Sequence, residues 1–341
     1  MLYERLSDQR VHCHLCAHEC EIAEGRRGIC QVRENQDGTL YTLVYGRTVA
    51  KHVDPVEKKP LLHFYPGSRA YSIATPGCNF RCWWCQNAEI SQARPAKLMP
   101  GERSLLMGQK ASPEEIVAAA KQVGCRSLAY TYTEPTVFFE YSYDTAQLAH
   151  EDSIANIYVT NGFMTEKMLQ TMDPYLDAAN VDLKGFRDET YRKYVGARLQ
   201  PVLDSLRKMK ELGIWVEVTT LVIPEINDES EELRDAARFI AEELGPETPW
   251  HISRFRPAYK MTDKSTTSPS TLKRAQRIGL EEGLHYVYVG NVPGESNTVC
   301  HQCGETLIRR SRYRLVRNNI TEGSICPNCS TPVAGVGMEG S

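Results

Sequence analysis

The middle of the chain alternates two hydrophobic patterns. Short runs rich in β-branched and aromatic residues are bounded by Gly, Pro or Asn and predict seven strands. They are "AYSIAT" (70–75), "SLAYTYT" (127–133), "NIYVTN" (156–161), "ANVDLKG" (179–185), "IWVEVTTLVI" (214–223), "WHISRF" (250–255) and "HYVYVGN" (285–291). Between them lie amphipathic segments with helix punctuation. "SPEEIVAAAKQVG" has Ser112 as a cap, Pro113 in the first turn, Glu115 three residues after the cap and Gly124 as a stop. "DESEELRDAARFIAEELG" repeats that logic from Asp228 to Gly245, and "PVLDSLRKMKELG" (201–213) and "TLKRAQRIGLEEG" (271–283) also end in Gly. Six β-α units and a seventh strand predict an α/β fold with a parallel sheet. At about 220 residues, the segment fits a (β/α) barrel or partial barrel, with a flat doubly wound sheet as the rival. Either architecture places ligands at the C-terminal ends of the strands.

Residues 1–69 and 296–341 do not continue the alternation, so the chain divides into a barrel at 70–295 and two short flanking modules. Neither flank can bury much apolar surface alone, which points to metal as a staple. The cysteines agree. There are twelve, and eleven fall into three groups: Cys13, Cys16, Cys20 and Cys30; Cys78, Cys82 and Cys85; and Cys300, Cys303, Cys326 and Cys329. Cys125 stands apart and reads as a buried, inert thiol. The polar start "MLYERLSDQR" and the absence of a long apolar run predict a cytoplasmic protein without membrane contact, where clustered thiols bind metal instead of forming disulfides. A net charge of −3 supplies no global field for nucleic acid or membrane.

In the C-terminal module, C-x2-C-x22-C-x2-C spacing fits a tetrahedral four-thiolate zinc site on a small β-ribbon. Between its knuckles, "IRRSRYRLVR" predicts a strand on which Arg310, Arg312 and Arg314 share a face, either a charged edge or a phosphate grip. In the N-terminal module, Cys13, Cys16, Cys20 and Cys30 also close a site. Gly25 and Gly28 allow its turns, and zinc and an auxiliary [4Fe–4S] cluster both suit it.

The central group differs. "TPGCNFRCWWCQNAEI" (75–90) follows the first strand and offers three thiols in C-x3-C-x2-C spacing, one short of a closed site. A zinc knuckle with a remote fourth ligand is one reading. A [4Fe–4S] cluster with one open iron is the other. The spacing resembles the radical S-adenosylmethionine (radical SAM) superfamily, and that resemblance implies that SAM fills the fourth position. There the reduced cluster yields methionine and a 5′-deoxyadenosyl radical. It further implies that Trp84, just before the third cysteine, packs by the adenine. "TYTEPT" resembles the superfamily's Gly-Gly-Glu-Pro region, which assigns Thr133 and Glu134 to SAM; Tyr132 and Thr133 stand where the glycines would be. "VTNG" and "VDLKG" resemble glycyl-radical-enzyme activases and carry Asn161, Asp182 and Lys184 into the site. Strand alternation turns Asp182 and Lys184 to one side. His251, on the sixth strand, is a further candidate contact.

Over essentially the whole length, "CHLCAHECEIAEGRRGICQVRENQDG", "HVDPVEKKPLLHFYPGS", "ATPGCNFRCWWCQNAEISQAR", "YTYTEPTVFFEY" and the double-knuckle tail resemble the radical SAM enzyme of the AmmeMemoRadiSam system. The resemblance implies hydrogen abstraction from an unidentified substrate. It also implies an electron donor such as ferredoxin or flavodoxin, and Memo-like and AMMECR-like partner proteins. Activation of a glycyl radical enzyme and modification of RNA are the other reactions considered. No nucleic-acid partner is expected.

Overall fold

The computed structural model describes residues 1–93 and 107–340, so Arg94, which ends one of the motifs above, lies outside it. Seven strands form where the hydrophobic runs predict them: β2 (Arg69–Ala74), β3 (Ser127–Tyr130), β4 (Ala155–Thr160), β5 (Ala178–Asp182), β6 (Trp215–Val222), β7 (Trp250–Arg254) and β8 (Val287–Gly290). All seven are parallel, and β1 (Ala50–Pro55) joins β2 antiparallel. Helices α1 (Pro113–Gln122), α2 (Phe139–Glu151), α3 (Glu166–Met172), α4 (Gln200–Glu211), α5 (Ser230–Phe239) and α6 (Pro269–Glu281) occupy the six connections. The capping box at α1 forms as read: Ser112 Oγ accepts from Glu115 N, and Glu115 Oε2 accepts from Ser112 N.

Strand order is strictly sequential from β1 to β8. A doubly wound sheet reverses its order partway, so this topology excludes that rival. Strands β1 and β8 do not pair among the described residues, which leaves a partial (β/α) barrel.

The inner face is filled at the N-terminal end of the strands by the segment that follows β1. Val56, Leu61 and Phe64 pack on Ala70, Ala129, Ile157 and Ala178. The backbone of that plug needs partners inside the barrel. Glu217 accepts from Leu62 N and His63 N at 3.0 and 2.8 Å, and Asn180 Nδ2 donates to Pro60 O at 2.8 Å. The C-terminal ends of the strands are thereby left as the open end.

The C-terminal module is a three-stranded antiparallel sheet (Thr298–Val299, Thr306–Ser311, Arg314–Asn318) with its own small core against Leu62, Tyr286 and Tyr288. Here one expectation is overturned. Arg310, Arg312 and Arg314 do not share a face. A register shift separates Arg309 from Arg310, and Arg312 sits in the turn with φ +55°. Arg310 is fully buried against Glu57.

Candidate active site

Strand register assembles the site's floor. Asp182 lies opposite Thr219, Thr219 opposite His251, and His251 opposite Tyr288. Because alternate residues face one side, this row lies across the inner face of four neighbouring strands. It lines a cavity of about 370 Å³, as do Cys78, Cys82, Trp84, Cys85, Thr133, Glu134, Asn161, Lys184 and Ser253. Every strand-end residue singled out from the sequence therefore borders one space.

The three-cysteine loop follows β2 and is held from several sides. Arg81 N donates to Val195 O at 2.8 Å and Trp83 N to Tyr194 O at 3.0 Å. Gly77 is required: it has φ +101°, and a Cβ there would stand 2.5 Å from Val32 Cγ1. Phe80 N donates to Cys78 Sγ at 3.3 Å, and Cys85 Sγ lies 3.2 Å from Ser91 Oγ. Burial pushes the Cys78 thiol well above its ordinary range and the Cys82 thiol to about 12. Such sulfurs become thiolates only against a cation, which fits a metal cluster.

Glu134 ties the loop after β3 to the end of β4. Oε1 accepts from Thr136 N (3.1 Å), Thr136 Oγ1 (2.6 Å) and Thr160 Oγ1 (2.7 Å), and Oε2 accepts from Asn161 N (2.9 Å). Burial raises its pKa, and these bonds hold it down. Oε2, with a single partner, keeps capacity for one more donor from the cavity. Asn161 in turn donates to Asn79 Oδ1 at 2.7 Å and so steadies the cysteine loop. Gly162 follows with φ +69°; a Cβ there would lie 2.7 Å from Val181 Cγ1. Thr133 Oγ1 donates to Thr75 O at 2.8 Å, beside the same loop.

Tyr132 has the left-handed φ of +64° that a glycine would take at no cost. Its hydroxyl compensates by donating to Asp54 Oδ2 at 2.5 Å, and Lys59 Nζ stands 4.5 Å from its ring centroid. An anchored tyrosine thus holds a left-handed backbone at the position where the resemblance places a glycine.

Lys184 Nζ donates to Asp182 Oδ2 at 2.7 Å at the cavity wall. Burial works against the lysine's charge, but Asp182, Cys82 and the direct bond raise its pKa. The pair therefore presents both a cation and a carboxylate. His251 Nε2 lies 2.6 Å from Glu217 Oε2, and its ring stacks on Tyr288 at 5.4 Å. Trp84 is buried at the cavity edge, 6.5 Å from Tyr194 between ring centroids.

Several lining residues were not singled out from the sequence: Lys58, Lys59, Ser296 and Tyr313; Arg312 was read only as part of the arginine strand, not as a wall of this cavity. The first two lie in the quoted "HVDPVEKKP" motif, which was a usable signal. Arg312 and Tyr313 are the tip of the C-terminal hairpin, and nothing local in the sequence links them to the barrel mouth.

The flanking thiols differ from one another. Cys300, Cys303, Cys326 and Cys329 gather within 4.8 Å, with Sγ–Sγ distances of 3.6 Å (Cys300–Cys329) and 3.7 Å (Cys303–Cys326). Zinc–thiolate bonds of about 2.3 Å in a tetrahedron put sulfurs about 3.8 Å apart, so this set fits one ion. Cys13, Cys16, Cys20 and Cys30 line a separate small cavity.

Sequential parallel strands, an open barrel end and a three-thiol loop beside the C-terminal ends of the strands define a partial (β/α) barrel with a candidate cluster site at its open end. The Radical SAM superfamily model matches residues 72–239. An uncharacterized protein of Methanocaldococcus jannaschii is 46% identical over 336 residues, 98% of each chain. The chain belongs to the Radical SAM superfamily. It is also 26% identical over 173 residues to a 7-carboxy-7-deazaguanine synthase of Thermococcus kodakarensis, covering 48% of this chain and 68% of that one. Among solved structures, a domain of the pyruvate-formate lyase-activating enzyme from Bacteroides vulgatus aligns with TM-score 0.43 and 16% identity, over 48% of this chain and 99% of that one. No helix among the described residues is long and apolar enough to cross a membrane.

Proposed function

We propose that this chain is the radical SAM enzyme of an AmmeMemoRadiSam system and abstracts hydrogen from a substrate of that system. The observation that carries the reading is the single cavity shared by the three-cysteine loop and the ends of β3, β4, β5 and β7. Cys78, Cys82 and Cys85 would hold a [4Fe–4S] cluster, which would supply the electron for reductive cleavage of SAM to methionine and a hydrogen-abstracting 5′-deoxyadenosyl radical. Lys184 suits the SAM carboxylate. Glu134 Oε2 and Asp182 suit the ammonium, and Trp84 lies where an apolar purine face would pack. Asn161 and Thr133 act on the cluster loop and keep it in register with β3 and β4. His251, pinned by Glu217, would orient groups at the far wall.

The C-terminal quartet suits zinc, and its hairpin carries Arg312 and Tyr313 to the cavity mouth. Arg310 lies in the interior, which removes one of the three arginines that a phosphate-gripping ribbon would need. Glycyl-radical activation draws on the match at Asn161, Asp182 and Lys184. The reactions separate in one experiment. Anaerobically reconstituted protein is supplied with SAM, dithionite and deuterated candidates: extracts with the Memo-like and AMMECR-like proteins, or a glycyl radical enzyme. Deuterium in 5′-deoxyadenosine from the first source supports the proposal; deuterium from a partner's glycine replaces it with activation.

A further inference from the structure

We propose that Cys13, Cys16, Cys20 and Cys30 hold a second [4Fe–4S] cluster, coupled to the three-cysteine loop through Arg81, and not a zinc ion. The inference takes the three-cysteine loop as the catalytic cluster site and extends it.

Spacing separates the two metals. Around one zinc ion all four sulfurs share a centre, and the C-terminal quartet shows that compact arrangement. In a cubane each thiolate ends on a different iron, so the sulfurs stand farther apart. Among the described residues, the N-terminal thiols line one cavity but do not gather within 4.8 Å as the C-terminal set does. Cys78, Cys82 and Cys85 likewise do not gather within 4.8 Å. The two quartets of one chain thus differ in how closely their sulfurs approach, the difference expected between a cubane and a single zinc ion.

A second observation points into the same cavity. Arg33 borders it and is only 3% exposed. Its terminal nitrogens are taken by Glu140, but its buried Nε–H has no partner. An orphaned buried donor is costly unless an acceptor arrives. A cluster with four thiolates is anionic and carries sulfur acceptors, and N–H contacts to sulfur tune its potential.

The site also adjoins the catalytic loop. Arg81, three residues from Cys78, donates through Nη1 to Cys78 O at 2.8 Å and through Nη2 to Ile29 O, next to Cys30. His18 Nε2 lies 2.9 Å from Asn79 O. A Cβ on Gly77 would come within 3.3 Å of Cys30 O, so the two backbones touch. One guanidinium therefore bridges the ligand loops. Cys13, Cys16, Cys20 and Cys30 would then hold a cluster able to take one electron from a low-potential carrier of the ferredoxin or flavodoxin class and be reoxidised by passing it to a cluster held by Cys78, Cys82 and Cys85, with no atom transferred.

The test is iron and sulfide analysis, with EPR after dithionite, on full-length reconstituted protein. Wild type should hold about eight irons, and the C78A/C82A/C85A variant about four, with a reduced-cubane signal. Wild-type iron near four, none in that variant and a second zinc equivalent would overturn the proposal. Four irons in both proteins would instead sink the catalytic assignment and leave this one standing. Arg33→Gln, which keeps every ligand, should lower the midpoint potential of the cluster in the C78A/C82A/C85A background. An unchanged potential would overturn the assignment of Arg33 Nε to that cluster.

Discussion

Arg310 is the residue whose meaning changed most between sequence and structure, and replacing it by methionine tests the change. Its side chain is fully buried, and that of Glu57 is 1% exposed. Nε lies 3.5 Å from Glu57 Oε1, Nη1 donates to Thr298 Oγ1 (2.8 Å) and Ser296 O (3.2 Å), and Nη2 donates to Leu62 O (2.7 Å). Methionine fills most of the volume but supplies no donor. Glu57 would keep Gly67 N at 2.7 Å as its one good partner, and its Oε2 already lacks one. Breaking a buried pair by removing one partner costs about 3–5 kcal/mol. Burial already raises the Glu57 pKa against the pull of Arg310, so the variant carboxylate should take up a proton and hold the loss toward the lower figure. The assay is urea denaturation at fixed zinc, since bound metal shifts apparent stability. Limited proteolysis of the C-terminal module accompanies it. Adding Glu57→Gln to Arg310→Met should recover roughly half of the loss, because an uncharged pair leaves no buried ion. A loss below about 1 kcal/mol, together with weaker RNA binding, would refute the interior role and restore the arginine ribbon.

Lys184→Met should weaken SAM binding about ten- to a hundredfold, the equivalent of one charge-assisted hydrogen bond, with the cluster spectrum unchanged; equilibrium dialysis measures it. Cys326→Ala should remove about one zinc equivalent and lower the melting temperature, because a structural ion contributes folding free energy. His63 is buried and neutral, with Nδ1 near Ala334 O and Nε2 near Tyr288 Oη at 2.6 and 2.7 Å. Burial lowers its pKa from 6.5 to about 4. The unfolded chain therefore binds the extra proton first. Stability is full above about pH 6.5 and falls toward pH 4, by about 3 kcal/mol from this group. In the same denaturation series, His63→Asn should lose that part of the pH dependence.

Most of the fold was legible because it depends on local signals. The seven parallel strands carry β-branched runs, and the capping box at Ser112 and the glycine stops are read within a few residues. The C-terminal cysteine set was legible for the same reason: its paired C-x2-C spacing predicts the four sulfurs that gather within 4.8 Å. What escaped depends on partners distant in the chain. The plug over 56–64 looks like an ordinary apolar stretch until Glu217 and Asn180 reach its backbone from inside β6 and β5. Arg310 looked exposed because alternation was counted across what is a register shift and a turn. Tyr132 looked like a loss of glycine. Its left-handed backbone is held because Asp54 and Lys59, from another segment, meet its hydroxyl and ring.

The most direct test of the account is 5′-deoxyadenosine formation from SAM by anaerobically reconstituted protein with dithionite. Wild type should form it and C78A/C82A/C85A should not, while both should bind the same amount of zinc, about one equivalent, expected on Cys300, Cys303, Cys326 and Cys329. Cleavage at an undiminished rate in the triple variant would contradict the account.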